Sequence, residues 1–263
     1  MRLPASTHRA SDNRGHGFGT SPVFLAGIST ILGAVMFLRF GYAVGHTGLL
    51  GALLIILLGH LVTVPTALAI AEIATNRRVE GGGEYFIISR SFGTTIGGAI
   101  GISLFLSQAI SVAFYLIAFA EAFSPVASWL QARWGMGWNP RLISLPATLG
   151  LAALMLTRGA NMGVKALWVV VGILTLSLAM FFLGSPVGGA PVESVTLFSG
   201  LDSPDPFFLV FAIVFPAFTG MTAGVGLSGD LANPRRSIPL GVMSATLTGM
   251  VVYVAMAAKL ALS

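Results

Sequence analysis

Residues 211–226 read FAIVFPAFTGMTAGVG. The run is apolar enough for a membrane span, yet Pro216 stands at its centre and Thr219, Gly220 and Gly224 follow. Proline removes a backbone donor and glycine weakens a helix, so the segment is predicted to unwind near its middle. Residues 27–45, GISTILGAVMFLRFGYAVG, carry a similar interruption, with Gly33 at the centre and Ser29 and Thr30 just before it. Inside a bilayer, unwound backbone is tolerated only where it is buried or lines a cavity. Two such breaks predict a site near the membrane midplane. Interruption alone leaves a second reading open, in which Pro and Gly only kink the helices or let neighbours approach closely.

The remainder of the chain puts both segments in lipid. Of its 263 residues, 55% are hydrophobic and 9% charged, and the mean hydropathy is +0.89. A soluble domain carries about 25% charged residues, so this chain cannot cover its own surface in water. Apolar runs near 22–45, 48–73, 95–120, 142–157, 163–184, 206–227 and 238–262 predict seven spans. Each approaches the roughly 20 residues a bilayer core requires, although 142–157 is short. The first run follows a polar stretch and is too long for a cleaved signal peptide. Residues 1–21 are polar, Gly-rich and Ser-rich and read as a disordered tail. His8 and His16 in that tail are assigned no role, and His46 and His60 read as packed, hydrogen-bonded histidines. No transition-metal site is expected. The chain contains no Cys, which excludes disulfides, thiolate metal sites, thiol catalysis and iron–sulfur clusters. It offers no carboxylate pair, nucleophile with base or nucleotide loop, so an enzyme is not expected and no cofactor is called for.

The net charge of +5 invites comparison with nucleic-acid binders, but the positive charges fall between apolar runs rather than on a basic face. Numbering the gaps alternately places Arg2, Arg9, Arg14, Arg77, Arg78, Arg90, Arg158, Lys165, Arg235 and Arg236 on one side, with only Arg133 and Arg141 on the other. Such a bias predicts a cytoplasmic amino terminus in a multi-pass protein of the plasma membrane. Glu193, Asp202 and Asp205 then lie in an outer loop. Of the Lys and Arg residues only Arg39 and Lys259 remain, both inside predicted spans.

The two broken spans are five spans apart, and an odd offset gives them opposite directions through the membrane. Paired broken helices in an inverted five-span repeat mark secondary transporters with a midplane site. Arg39 lies in the outer half of the first span and Glu121 near the outer end of the third. A lone charge in lipid is costly, so each is the other's natural partner, and an Arg39–Glu121 ion pair is predicted to gate the site from outside. Independent snorkelling of both to the interface is the alternative.

Other motifs are weaker alone. Gly81–Gly83 read as a hinge that lacks the lysine and strand context of a phosphate loop. Gly93, Gly97 and Gly101 form a small-residue helix face suited to packing. The stretch GDLANPRRSIP (229–239) places an Asn-Pro turn beside two arginines on the inner side.

Together, GAVMFLRFGYAVGHTG (33–48), ATNRRVEGGGEYFIISRSFGTTIGGAIG (74–101), AFYLIAFAEAF (113–123) and FPAFTGMTAGVGLSGDLANPRRSIPLG (215–241) resemble the cation–chloride cotransporters. These are the sodium–potassium–chloride and potassium–chloride carriers of the amino acid–polyamine–organocation superfamily. The resemblance implies an all-α polytopic membrane protein on the inverted-repeat (LeuT-like) scaffold of twelve spans. Residues 22–184 would be the first five-helix repeat, complete, and 206–262 the start of a truncated second. It further implies a potassium site of main-chain oxygens at Thr30 and Ile31, the Tyr115 hydroxyl, and Pro216 and Thr219. One chloride site is implied at the amides of Gly33, Ala34 and Val35, and a second at those of Gly220, Met221 and Thr222. The gate positions fall on Arg39 and Glu121. Neutral oxygens suit a partly dehydrated monovalent cation, and amides freed at a half-helix start suit an anion.

Thr30 stands where many animal members have Asn, a change of little weight if the ligand is a carbonyl. Ser29 and Leu32 fall on sodium-site positions, but that site and the second chloride site each draw on spans beyond residue 263. The outer loops are short, as in a compact, prokaryotic-type homologue. Four functions follow as expectations: chloride-coupled cation symport by alternating access (potassium, with sodium open); carriage of an amino acid or other small solute; a channel; and a truncated, non-transporting subunit. The bilayer and inorganic ions are the expected partners, with further carboxyl-terminal spans, a second chain or a homodimer left open and nucleic acid not expected.

Overall fold

The computed structural model describes residues 17–76, 81–135, 137, 139–185 and 197–262; side chains at 158–162 fall outside the description. The expectations for the tail before residue 17, for Arg77 and Arg78 and for Glu193 therefore lie outside the described residues. Eight α-helices follow in chain order: α1 (Ser21–Ile31), α2 (Ala34–Asn76), α3 (Gly83–Phe92), α4 (Thr94–Glu121), α5 (Ser124–Trp134), α6 (Arg141–Leu183), α7 (Phe207–Val214) and α8 (Pro234–Ala261). Between α7 and α8 run two 3-10 helices, Phe215–Phe218 and Met221–Asp230. No strand occurs among the described residues; Phe18 and Leu231 form one isolated parallel bridge. The protein is thus all-α and polytopic, with five helical segments among the described residues long and apolar enough to cross a membrane and two shorter apolar segments.

The first expected span is α1 followed by the start of α2, separated at Leu32 and Gly33. The second is the rest of α2, which turns a corner at Gly48 with φ 67°. A Cβ there would stand 2.5 Å from the Phe198 carbonyl carbon, so the corner requires glycine twice over, for its left-handed backbone and for the loop packed on it. The sixth span is broken as the Pro216 pattern predicts. Its amino-terminal half is α7 and the first 3-10 helix; Thr219 is extended, Gly220 adopts φ 98°, and the second half is 3-10 throughout.

One boundary differs from expectation. The runs 142–157 and 163–184 form a single uninterrupted helix, α6. The residues between them, RGANM (158–162), contain no proline, and helix-forming Arg158 and Ala160 flank the one glycine, so the cost of Gly159 and Asn161 is not enough to end the helix. Among the described residues of this helix, Gly163–Leu183 is long and apolar enough to span and Arg141–Thr157 is a shorter apolar segment.

The core lies where α8 packs along α1 and α2, with the second 3-10 helix against α1. Lipid tails are as apolar as leucine, so helix association in a membrane depends on close contact and dispersion rather than on escape from water. Small residues supply that contact. A Cβ at Gly249 would meet Ile31 Cγ2 at 2.6 Å, and one at Gly27 would meet Ala245 Cβ at 2.9 Å. The largest fully buried side chains, Tyr253, Phe40, Phe218, Ile31 and Met36, surround the two helix breaks. In contrast, α4 and α6 turn Ile102, Phe105, Leu149 and Leu156 outward, as lipid-facing helices do.

Candidate functional site

Breaking a helix orphans backbone groups on both sides of the gap, carbonyls before it and amides after it. In the first span α1 ends at Ile31 and α2 begins at Ala34. The Thr30 hydroxyl donates to the Ala26 carbonyl at 2.8 Å, which turns the hydroxyl back along α1. In the sixth span the break falls at Thr219 and Gly220. The two gaps meet: a Cβ on Gly220 would stand 2.4 Å from Thr30 Cγ2.

Beside this junction opens a cavity of about 330 Å³. Thr30, Ile31, Gly33, Ala34 and Val35 line it from the first span, Pro216, Ala217 and Thr219 from the sixth, and Ser111, Phe114 and Tyr115 from α4. All five residues expected around a cation line this one space, as do the three expected around the first chloride. The amides of Gly33, Ala34 and Val35 sit at the amino terminus of α2, the positive end of its dipole. The second expected chloride set is not brought to the same place. Gly220 packs on Thr30, the Met221 carbonyl lies 3.6 Å from where a Cβ on Gly27 would stand, and neither these two nor Thr222 lines the cavity. Of the sodium positions, the Ser29 hydroxyl donates to Ala26 O at 3.1 Å and Leu32 is buried.

Above the cavity lies a smaller one of about 220 Å³ that shares Ala34, Val35 and Phe114 with it and extends to Arg39 and Glu121. Arg39 Nη2 donates to both carboxylate oxygens of Glu121, at 3.0 and 3.2 Å. The side chains are 47% and 41% exposed, and pairs this accessible add little to stability. Lys259, the basic residue in the seventh predicted span, donates from Nζ to the Gly184 carbonyl at 2.9 Å, at the end of α6. No group of three or more metal-ligating side chains occurs among the described residues.

The profile of the amino acid permease family matches residues 23–262. The chain belongs to that family. Solute carrier family 12 member 1 of Mus musculus is 34% identical over 244 residues, covering 86% of this chain and 22% of its own length. Solute carrier family 12 member 2 of Squalus acanthias is 35% identical over 263 residues, covering 95% and 22%. Solute carrier family 12 member 9 of Danio rerio is 32% identical over 274 residues, covering 88% and 30%. The permease chain thus spans between about a fifth and a third of the length of these relatives. They bear out the resemblance to the cation–chloride cotransporters, a group of transporters rather than enzymes.

Three features of the permease site escaped the sequence. Tyr253 of α8 is fully buried, and its hydroxyl donates to the Ile31 carbonyl at 2.7 Å and approaches the Ala217 carbonyl at 3.2 Å. Ser111 lines the cavity one helical turn before Tyr115. On the outer side, the Tyr42 hydroxyl donates to Asp205, and the Asp205 amide donates to His46 Nδ1 at 2.8 Å, joining α2 to the loop before the sixth span. A tyrosine amid aliphatic residues in a span was the available signal for Tyr253, but that pattern is common in membrane helices.

Proposed function

We propose that the protein is a secondary active transporter that moves potassium together with chloride by alternating access, with sodium coupling undecided. The observation that carries this reading is the cavity that residues of both broken spans line together with Tyr115. A dehydrated monovalent cation needs several neutral oxygens, and broken helices supply carbonyls without a buried carboxylate. Thr30, Ile31, Tyr115, Pro216 and Thr219 form the cation site in this proposal. Amides of Gly33, Ala34 and Val35 hold one chloride, and Gly220, Met221 and Thr222 a second, completed by elements outside the described cavity. Arg39 and Glu121 close the outer path. The protein would sit in the plasma membrane with its amino terminus inside. Residues 22–184 and 206–262 belong to inverted repeats, and further spans or a second copy complete the carrier.

Expressing the complete gene product and measuring chloride-dependent rubidium uptake tests the assignment. Removing one neutral ligand oxygen with Tyr115→Phe is expected to abolish most of the uptake, and unchanged uptake would count against potassium at this site.

A second reading keeps the scaffold and changes the cargo. The main cavity, at about 330 Å³, has room for a small organic solute, and the amides at the start of α2 would accept an amino acid carboxylate. Competition separates the two: amino acids that block rubidium uptake, or that are themselves accumulated, favour the second.

A further inference from the structure

We propose that Tyr253 is a positioning residue whose hydroxyl ties the freed carbonyls of both broken spans together and so sets the geometry of the cation site. This inference rests on the ion reading above and extends it to α8, an element that does not line the cavity. Tyr253 is 0% exposed, and its ring stands edge-on between Phe40 and Phe218, with centroids 5.0 and 4.9 Å away. Phenylalanine would satisfy that packing equally well. The hydroxyl needs its own explanation, because a buried O–H without a partner is costly. Its partners are the last carbonyl of α1, Ile31, at 2.7 Å and the Ala217 carbonyl just before the break in the sixth span, at 3.2 Å.

Both carbonyls belong to residues that line the main cavity. The backbone hydrogen bonds that close the turns around the two breaks use other acceptors, the carbonyls of Ile28, Gly33, Pro216 and Gly220. Ile31 and Ala217 therefore receive from α8 the hydrogen bond that a continuous helix would have provided. A carbonyl has two acceptor directions; Tyr253 occupies one and leaves the other for an ion. The hydroxyl carries a single proton, so its strong bond goes to the nearer oxygen, and the second contact follows whenever the two breaks approach or separate. One side chain thus couples the two halves of the site to each other and to the next span.

The test uses the complete gene product in membranes and reads rubidium half-saturation separately from maximal rate. Losing one net hydrogen bond at the carbonyls is expected to raise half-saturation of Tyr253→Phe about two- to tenfold, at unchanged chloride half-saturation. Replacement of Tyr253 by 4-aminophenylalanine, which keeps a donor at the same place, is expected to restore the parental value within about twofold. A phenylalanine variant that loses only maximal rate, or an amino variant shifted as far as the phenylalanine one, would overturn the role of Tyr253. Absence of saturable, chloride-dependent rubidium uptake by the parent would instead overturn the ion reading itself, so the two failures are told apart.

Discussion

Gly220 does two things that no other residue can do at once: it takes φ 98°, and it lets Thr30 approach to within contact of its backbone. Gly220→Ala is expected to destabilise the protein by about 1–3 kcal/mol through left-handed strain and the clash with Thr30. Adding Thr30→Ala, which removes the nearest atom, should recover part of the loss; thermal unfolding of the purified protein in detergent checks both. Arg39 and Glu121 make the opposite case, since their half-exposed pair contributes little to stability. Arg39→Ala and Glu121→Ala are each expected to slow uptake several-fold while leaving unfolding temperature unchanged, and exchanging the two charges in one double variant should restore part of the rate. Equal uptake by the single variants would remove the gate. Ser29, Thr30 and Gly33 were legible as a weak point because the cost of glycine to a helix is local. Tyr253 was not, because its role depends on which carbonyls happen to lie within 2.7 and 3.2 Å of its hydroxyl.

Among the elements, the broken spans followed from local chemistry, and the corner in α2 falls at Gly48, the first residue of the second apolar run. The extent of α6 did not follow in this way. Two apolar runs predict two helices, whereas the helix continues through Gly159 and Asn161 and joins them into one. The outer loop supplies another case. The expected topology puts Asp205 in an outer loop, but its hydrogen-bonded tie to Tyr42 and His46, 163 and 159 residues away, needs the chain to fold back. Ser199 adds to it by donating to the Gly45 carbonyl at 3.0 Å. Asp205→Ala, which removes the acceptor of Tyr42, is expected to speed amide hydrogen exchange in residues 197–206 relative to α8. An unchanged exchange pattern would show that the loop is held by its other contacts.

For the whole molecule, the distribution of charge predicts orientation, and the lack of native cysteine makes it directly measurable. A single cysteine introduced as Asp202→Cys is expected to react with an impermeant maleimide on intact cells, and one introduced as Ser6→Cys only after the membrane is opened. The reverse labelling would invert the proposed topology. The sequence by itself determined that this chain is helical and lives in lipid, where its helices break, and which family strings it carries, because hydropathy, proline and glycine act locally. Only the tertiary structure decided that the two breaks face one another across Thr30 and Gly220, that α4 closes the cavity with Tyr115, and that α8 reaches in with Tyr253. Those facts depend on how closely particular small residues let helices approach, and van der Waals contact between distant segments is a property of the packed molecule rather than of any stretch of chain.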